Sequence, residues 1–480
     1  MRTRALLVAL VVLVALSMAA WAEGGQEAGA AAESPIDWNA PQMAVDRITG
    51  EEWIPPEGWE EATEGVEELF YFNSGAMRHD PATQENINIF EDKTGITVTW
   101  AEVSSEILFQ KTLNVLVSKD PSVHGMSLDS GPYQFEQVIG AGWAEQLPYW
   151  TDEVKAAYPD AMVPALSDDE GNVYATVDTM RSYLLFYRPS WLEAAGVDPE
   201  SLTTWQGVRE AAQQAGEWAQ ENMGQDFHGI VFPAKSYNLM HMLQSGIYSQ
   251  GDRVIESDGT PVYDDAAGRN SWEYWVNLVR DGIAPEDVLG WTWNDYQEVY
   301  ARGKAAIMLG FSTYVNRSAD PELSPALHED VMGNSVDAPG DWAVIAPPKW
   351  DADEPETNRA AFIDFDGFMV NTFADARHKA AMMLFSEFRM SAQAMANEVV
   401  IEGNESFYPG VYDWDKVQNE ILFPEPRAQS VSTTVMETFP PGAIQANDMI
   451  IEFFARSVQG DMDPLEALSQ AQEQINGIYR

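Results

Sequence analysis

Phe90-Glu91-Asp92-Lys93-Thr94-Gly95-Ile96-Thr97-Val98-Thr99 is the stretch whose reading decides the fold class. It reads as the last turn of a helix, a glycine at the position after the helix end, and then a strand. Gly95 can take the left-handed conformation that closes a helix at no steric cost. Ile96 and Val98 alternate with Thr97 and Thr99, the period-two pattern of a strand. Upstream, Leu69-Phe70-Tyr71-Phe72 is a short apolar run that ends at Asn73-Ser74-Gly75. Strand, polar loop, helix, glycine and strand together make the opening βαβ unit of a parallel sheet.

The pattern continues outward. Helical and strand-like segments alternate as far as the C-terminus, which predicts an α/β architecture. Strands are expected at 173–177, 184–187, 229–233, 305–309, 341–346 and 367–370. Helices are expected from Thr204, an N-cap, to about Glu221, from 293 to 302, from 375 to 388, and as two amphipathic segments in the last 35 residues. About 400 residues exceed what one core usually accommodates, so two lobes are expected.

The N-terminus bears on compartment. Arg2 and Arg4 precede an apolar run from Ala5 to Leu16, and Ala20-Trp21-Ala22 supplies a small-x-small end. This predicts a secretory signal peptide over 1–22, cut after Ala22. Residues 23–35 are rich in Gly, Ala and Glu, a flexible tether. Residues 36–65 carry Trp38, Trp53, Pro55-Pro56 and Trp59, too aromatic for a linker, and are expected to pack on the body as an extension. The sequence has no cysteine, which removes disulfides, thiolate metal sites, cysteine nucleophiles and the lipid-anchor cysteine of a bacterial lipoprotein. The expected location is therefore periplasmic or extracellular, free of a lipid anchor.

With 27 basic against 76 acidic residues the formal net charge is −49. Phosphate binding needs Lys and Arg, so nucleic acid is not an expected partner. Self-repulsion on this scale is relieved by salt, which points to a saline habitat.

No H-E-x-x-H, P-loop or G-x-S-x-G pattern occurs. His79, His124, His228, His241, His328 and His378 are scattered without metal spacing and read as ordinary surface or core residues. No cofactor and no metal are expected. Asp364 and Asp366 flank Phe365 just before a strand. They could act as a carboxylate pair of an exported glycosidase, but a hinge or ligand-bonding role is the preferred reading. Trp291 and Trp293 lie in a loop before a helix, and Tyr183, Phe311, Tyr314, Phe407 and Tyr408 sit at expected element ends. Aromatic faces suit the apolar C–H faces of sugar rings, with carboxylates and amides left to bond hydroxyl groups.

Five segments in order carry a resemblance: 90–99; Leu184-Leu185-Phe186-Tyr187-Arg188 with Trp191 to Val197; Thr203-Thr204-Trp205; Gly303-Lys304-Ala305-Ala306-Ile307-Met308-Leu309-Gly310; and Ser406-Phe407-Tyr408-Pro409. From about 66 to 480 the chain resembles the extracellular solute-binding proteins of ABC importers, in the large carbohydrate-binding branch that includes the maltodextrin-binding proteins. The resemblance implies the two-lobe α/β periplasmic-binding-protein fold, a ligand cleft between the lobes, a hinge of several chain crossings, and no chemistry done on the ligand. It implies lobe one at 66–178 plus 303–363 and lobe two at 179–302 plus 364–480. The implied partners are a small-molecule carbohydrate and the membrane permease of an ABC importer, with the protein a monomer.

Carried over by position, the ligand residues are Asn73 and Ser74 in the loop after the first strand, Asp129 with Tyr133 in the loop after the second, Arg181 and Tyr183 at the first crossing, Phe311, and Tyr408 in the late loop. Asp364, Asp366, Trp291 and Trp293 join them from the reading of the residues. Asp364-Phe365-Asp366-Gly367 and the 36–65 extension depart from the family's usual pattern. Another neutral solute, a polyol or compatible solute, is the alternative ligand on the same fold, and the glycosidase is the alternative from another class.

Overall fold

The structure is a computed structural model that describes residues 36–74, 81–128, 131–158, 162–235, 237–256, 258–437, 439–440 and 442–479. The expected signal peptide and tether, and Asp129, lie outside the described residues, as does the side chain of Tyr133.

The deciding stretch folds as read. A helix, Pro81–Thr94, ends at Gly95 with φ +71°, and strand β2 (Thr97–Val103) pairs in parallel with β1 (Glu68–Ser74). Ile96 and Val98 are buried while Thr97 is exposed, as the alternation requires. β3 (Gly125–Leu128) adds to β1 in parallel. β4 (Ala175–Arg181) and β9 (Asp364–Val370) complete a five-stranded sheet in the order β2-β1-β3-β9-β4, with β9 antiparallel to both neighbours.

The second sheet has four strands, β6 (His228–Val231), β7 (Ala305–Phe311), β5 (Tyr183–Tyr187) and β8 (Ala343–Ile345), in that order. β6 and β7 are parallel, and β5 runs antiparallel to β7 and β8. Side-chain caps mark several helix starts. Thr204 accepts from the N–H of Gly207 ahead of helix Trp205–Asn222, and Asp375 and Asp463 cap Ala376–Arg389 and Pro464–Ile478 in the same way.

Each sheet has its own core. The first gathers Trp53, Tyr71, Phe90, Phe368 and Phe385; the second gathers Trp191, Trp205, Trp272, Trp275 and Phe454. The two-lobe expectation holds, but the division of the chain is corrected. β7 and β8, expected in lobe one, hydrogen-bond to β5 and β6 and belong to the second lobe. β9 and the residues up to Ile421, expected in lobe two, belong to the first sheet and its core. The physical reason is register: β9 lies between β3 and β4 with every side chain buried, a place only the first sheet provides. The last two helices, Ala443–Val458 and Pro464–Ile478, pack on the second core, in the lobe expected.

The 36–65 extension packs on the first lobe through a sealed ion pair. Arg47 meets Glu387 at 2.5 Å with both side chains at 0% exposure, and Glu387 also accepts from the Trp53 indole N–H at 3.1 Å. Arg47 donates further to the carbonyls of Gln42 and Trp38, and Trp38 packs on Tyr149. Among the described residues no helix is long and apolar enough to cross a membrane.

Candidate functional site

Strand direction decides where a site can form. In the first sheet the carboxyl ends of β1, β3 and β4 and the amino end of β9 lie on one edge: Leu128 faces Gly367 and Arg181 faces Asp364. In the second sheet the carboxyl end of β7 and the amino end of β5 share an edge, with Phe311 opposite Tyr183. Open α/β sheets bind ligands outside the carboxyl ends of their strands. The chain crosses between the cores at these edges. Met180 belongs to the first core and Tyr183 to the second; Phe362 belongs to the second and Ile363 to the first; Ile421 belongs to the first and Val435 to the second. Phe362 and Val435 are bridged, so the second and third crossings run side by side.

Arg181 is the charged centre of the first edge. Pairing between β4 and β9 shifts between Val177 and Thr179, and this irregularity sets Thr179 opposite Asp366 and Arg181 opposite Asp364. From there the guanidinium reaches straight across to Asp364 at 3.0 Å and diagonally to Asp366 at 2.6 Å. The Arg181 side chain keeps 22% exposure while the two carboxylates are buried. Burial raises Asp364 to about 6, against the pull of Arg181 and with a further push from Asp366. Both aspartates stand inside β9, which corrects the expectation that they lie just before the strand. Asn73 is buried at the end of β1, where its side-chain oxygen accepts from Ser127 at 3.4 Å, and half-buried Ser74 follows it.

The second edge is aromatic. Tyr183 and Phe311 pack with ring centroids 4.6 Å apart. Tyr183 is fully buried and its hydroxyl is engaged with His241 Nδ1 at 2.9 Å. It therefore offers no open stacking face at this edge. Burial lowers His241 to about 3, so the imidazole is neutral. Trp291 and Trp293 are half-buried. Helix Trp293–Ala301 begins with a capping box, Thr292 and Asp295, and runs back towards the start of β7, which leaves its first residue at the carboxyl edge. The carbonyl of Trp291 accepts from the N–H of Lys235, which fastens it to the loop after β6.

A second arginine, not singled out from sequence, sits at the third crossing. Arg427 pairs with Glu405 at 3.1 Å, both side chains at 0% exposure, and donates to the carbonyls of Asn404 and Gly403. Glu405 also accepts from Tyr412, its backbone N–H bonds the carbonyl of Met180, and its carboxylate accepts from Ser182 at 3.4 Å. The pair thus ties the third crossing to the first. Tyr408 lies three residues on, half-buried against the first core beside the Ser406 turn.

The structure brings Asn73, Ser74, Arg181, Asp364 and Asp366 to one edge, and Tyr183, Phe311, Trp291 and Trp293 to the other. A surface cavity of about 510 Å³ opens between the extension and Trp414, but none of its lining residues belongs to a crossing or a strand end. Among the described residues no group of three or more His, Cys, Asp or Glu could hold a metal ion.

The fold matches solved solute-binding proteins. The maltose-bound MalE3 of T. maritima superposes with a TM-score of 0.72 at 17% identity, covering 86% of this chain and 99% of that one. A solute-binding protein of Thermotoga lettingae bound to α-D-tagatose gives 0.70 at 18% identity, with coverage of 86% and 99%. One from Agrobacterium radiobacter K84 in complex with ribitol gives 0.69 at 17%, with coverage of 87% and 99%. Binding proteins of Brucella abortus and Brucella suis are 22% identical over 241 residues, 48% of this chain and 54% of each relative. The chain thus spans about half the length of these curated relatives. The model of the bacterial extracellular solute-binding protein family matches residues 85–425, most of the chain, and the chain belongs to that family.

Proposed function

We propose that this protein captures a sugar or polyol between the carboxyl edges of its two sheets and delivers it to an ABC-type permease. The observation that carries the reading is the pairing of unlike edges across three crossings: an arginine with two carboxylates on one side, aromatic rings on the other. Charged and amide groups orient hydroxyls, aromatic faces cover C–H surfaces, and rotation about the crossings closes the lobes on the ligand. That maltose, tagatose and ribitol complexes occur among proteins of this fold supports a neutral polyhydroxylated ligand. The family supports work outside the cytoplasm, and the N-terminal sequence supports export through a signal peptide cut after Ala22.

A polyol on the same fold is favoured as the second reading by the ribitol complex. The glycosidase reading is disfavoured because Asp364 and Asp366 share one guanidinium, an arrangement that anchors both carboxylates on the same strand. Isothermal titration against maltose, D-tagatose and ribitol tests the proposal. Saturable binding of at least one without its consumption supports it; consumption of a glycoside, abolished in Asp364→Asn and Asp366→Asn, overturns it.

A further inference from the structure

The cavity of about 510 Å³ beside Trp414 lies away from every crossing and strand end. Four pieces of chain build it: the extension at Glu51, helix Pro81–Thr94 through Glu85 and Ile89, helix Ala392–Asn397, and the segment from Asp413 to Lys416. The extension is fixed there by the backbone N–H of Trp53, which donates to the side chain of Gln393, itself part of the lining, at 2.8 Å. The family model matches from residue 85 onward, so the wall that carries Glu51 lies outside the matched region. Hollows of about 300–1,000 Å³ take small organic ligands.

The chemistry of the lining is one-sided. Glu51, Glu85, Asp413 and Asp415 all line the cavity, and among the described residues none of these four carboxylates meets a hydrogen-bond or ion-pair partner. Glu52, next in sequence to Glu51, is by contrast paired with Lys93 at 2.8 Å. Lys416, the basic residue of the lining, donates to the buried Asn397 at 3.2 Å rather than to a carboxylate. An acidic rim alone would say little in a chain with 76 acidic residues. The wall of this one, however, also carries the half-buried indole of Trp414 and the half-buried side chain of Ile89, both packed against the first core. Among ring side chains an indole face attracts a cation best, through the quadrupole of its π-system. Carboxylates around it add Coulomb attraction, and the aliphatic surface receives alkyl groups.

We propose that this cavity is a second binding site, separate from the edges of the two sheets, that takes a small organic cation of the substituted-ammonium class. The cation sits over Trp414 with the four carboxylates around it, and the extension and the first lobe build the site jointly. An anion would face the carboxylates, and an uncharged molecule of the same shape forfeits both the attraction to the indole and the Coulomb attraction. The site does not depend on which solute the sheet edges bind.

The test titrates choline, and 3,3-dimethylbutan-1-ol as its uncharged counterpart, into the full chain by calorimetry. Salt at about 0.15 M screens the diffuse attraction of the acidic surface for any cation. Wild type should bind choline saturably at one site and the alcohol about tenfold or more weakly. Trp414→Leu and the double variant Glu85→Gln with Asp413→Asn should each weaken choline binding about fivefold or more. The double variant alters only exposed carboxylates, so its result stands whether or not Trp414→Leu folds. No saturable choline binding by wild type, equal binding of the alcohol, or an affinity unchanged in the double variant would each overturn the proposal, and none of these outcomes touches the sugar or polyol reading.

Discussion

Two arginines stand at the crossings between the lobes, and they differ in their partners and in their exposure. Arg427 and Glu405 are both at 0% exposure and bonded to backbone carbonyls, a phenol and a serine around them. Arg181 holds two carboxylates instead of one and keeps 22% of its side chain open at the strand ends. The sealed pair joins chain segments. The open triad presents charge where two sheet edges meet.

The largest expected effect comes from breaking the sealed pair. Arg427→Met leaves Glu405 buried without its charge partner and should cost about 3–5 kcal/mol in urea unfolding. A loss below about 1 kcal/mol would mean that the pair does not join the crossings as described.

Next is Arg181→Met, which leaves Asp364 and Asp366 buried together, at a cost of about 2–3 kcal/mol near pH 8. The pH dependence sharpens the comparison. Asp364 titrates at about 6 in the folded chain against an ordinary 3.8, so between these values the folded state binds more protons than the unfolded one. Ionising it withdraws stability as pH rises through that window. Without Arg181 the aspartates take up a proton more readily, and the cost of the substitution should shrink by about pH 5. A cost independent of pH, read from unfolding curves at both pH values, would contradict the assignment.

Trp293→Ala tests the aromatic edge opposite the triad. It should weaken sugar binding about tenfold in titration calorimetry, roughly 1.4 kcal/mol, with only a small change in unfolding midpoint. The smallest effect expected is that of salt. Buried pairs are screened far less than exposed ones. The cost of Arg427→Met should therefore be the same at about 0.1 M and about 1 M salt, while that of Arg181→Met should fall.

Much of the fold was legible in local signals. Gly95 ends a helix in the left-handed conformation, and Thr204, Asp375 and Asp463 cap helices; each of these is a matter of a few adjacent residues. The allotment of strands to lobes was not legible. The residues of β7 and β9 are all buried, and a continuous apolar run carries no record of which sheet receives it. Asp364 and Asp366 read as lying just before the strand, and strands are poor in aspartate. What allows them inside β9 is Arg181, 183 and 185 residues away. His241 read as an ordinary surface or core residue and is buried, with its Nδ1 bonded to Tyr183 and its ring stacked on Phe362. Of the aromatic residues expected at the ligand, Trp291 and Trp293 are half-buried, while Phe311 and Tyr183 are buried.

The central claim is that ligand sits between the carboxyl edges of the two sheets and touches both. A crystal structure of the wild-type chain grown with the tightest-binding of maltose, D-tagatose and ribitol tests it directly. The account predicts ligand density in contact with Arg181 or Asp364 from the first lobe and with Trp293 or Phe311 from the second. Density confined to one lobe, or seated away from the crossings, would contradict it.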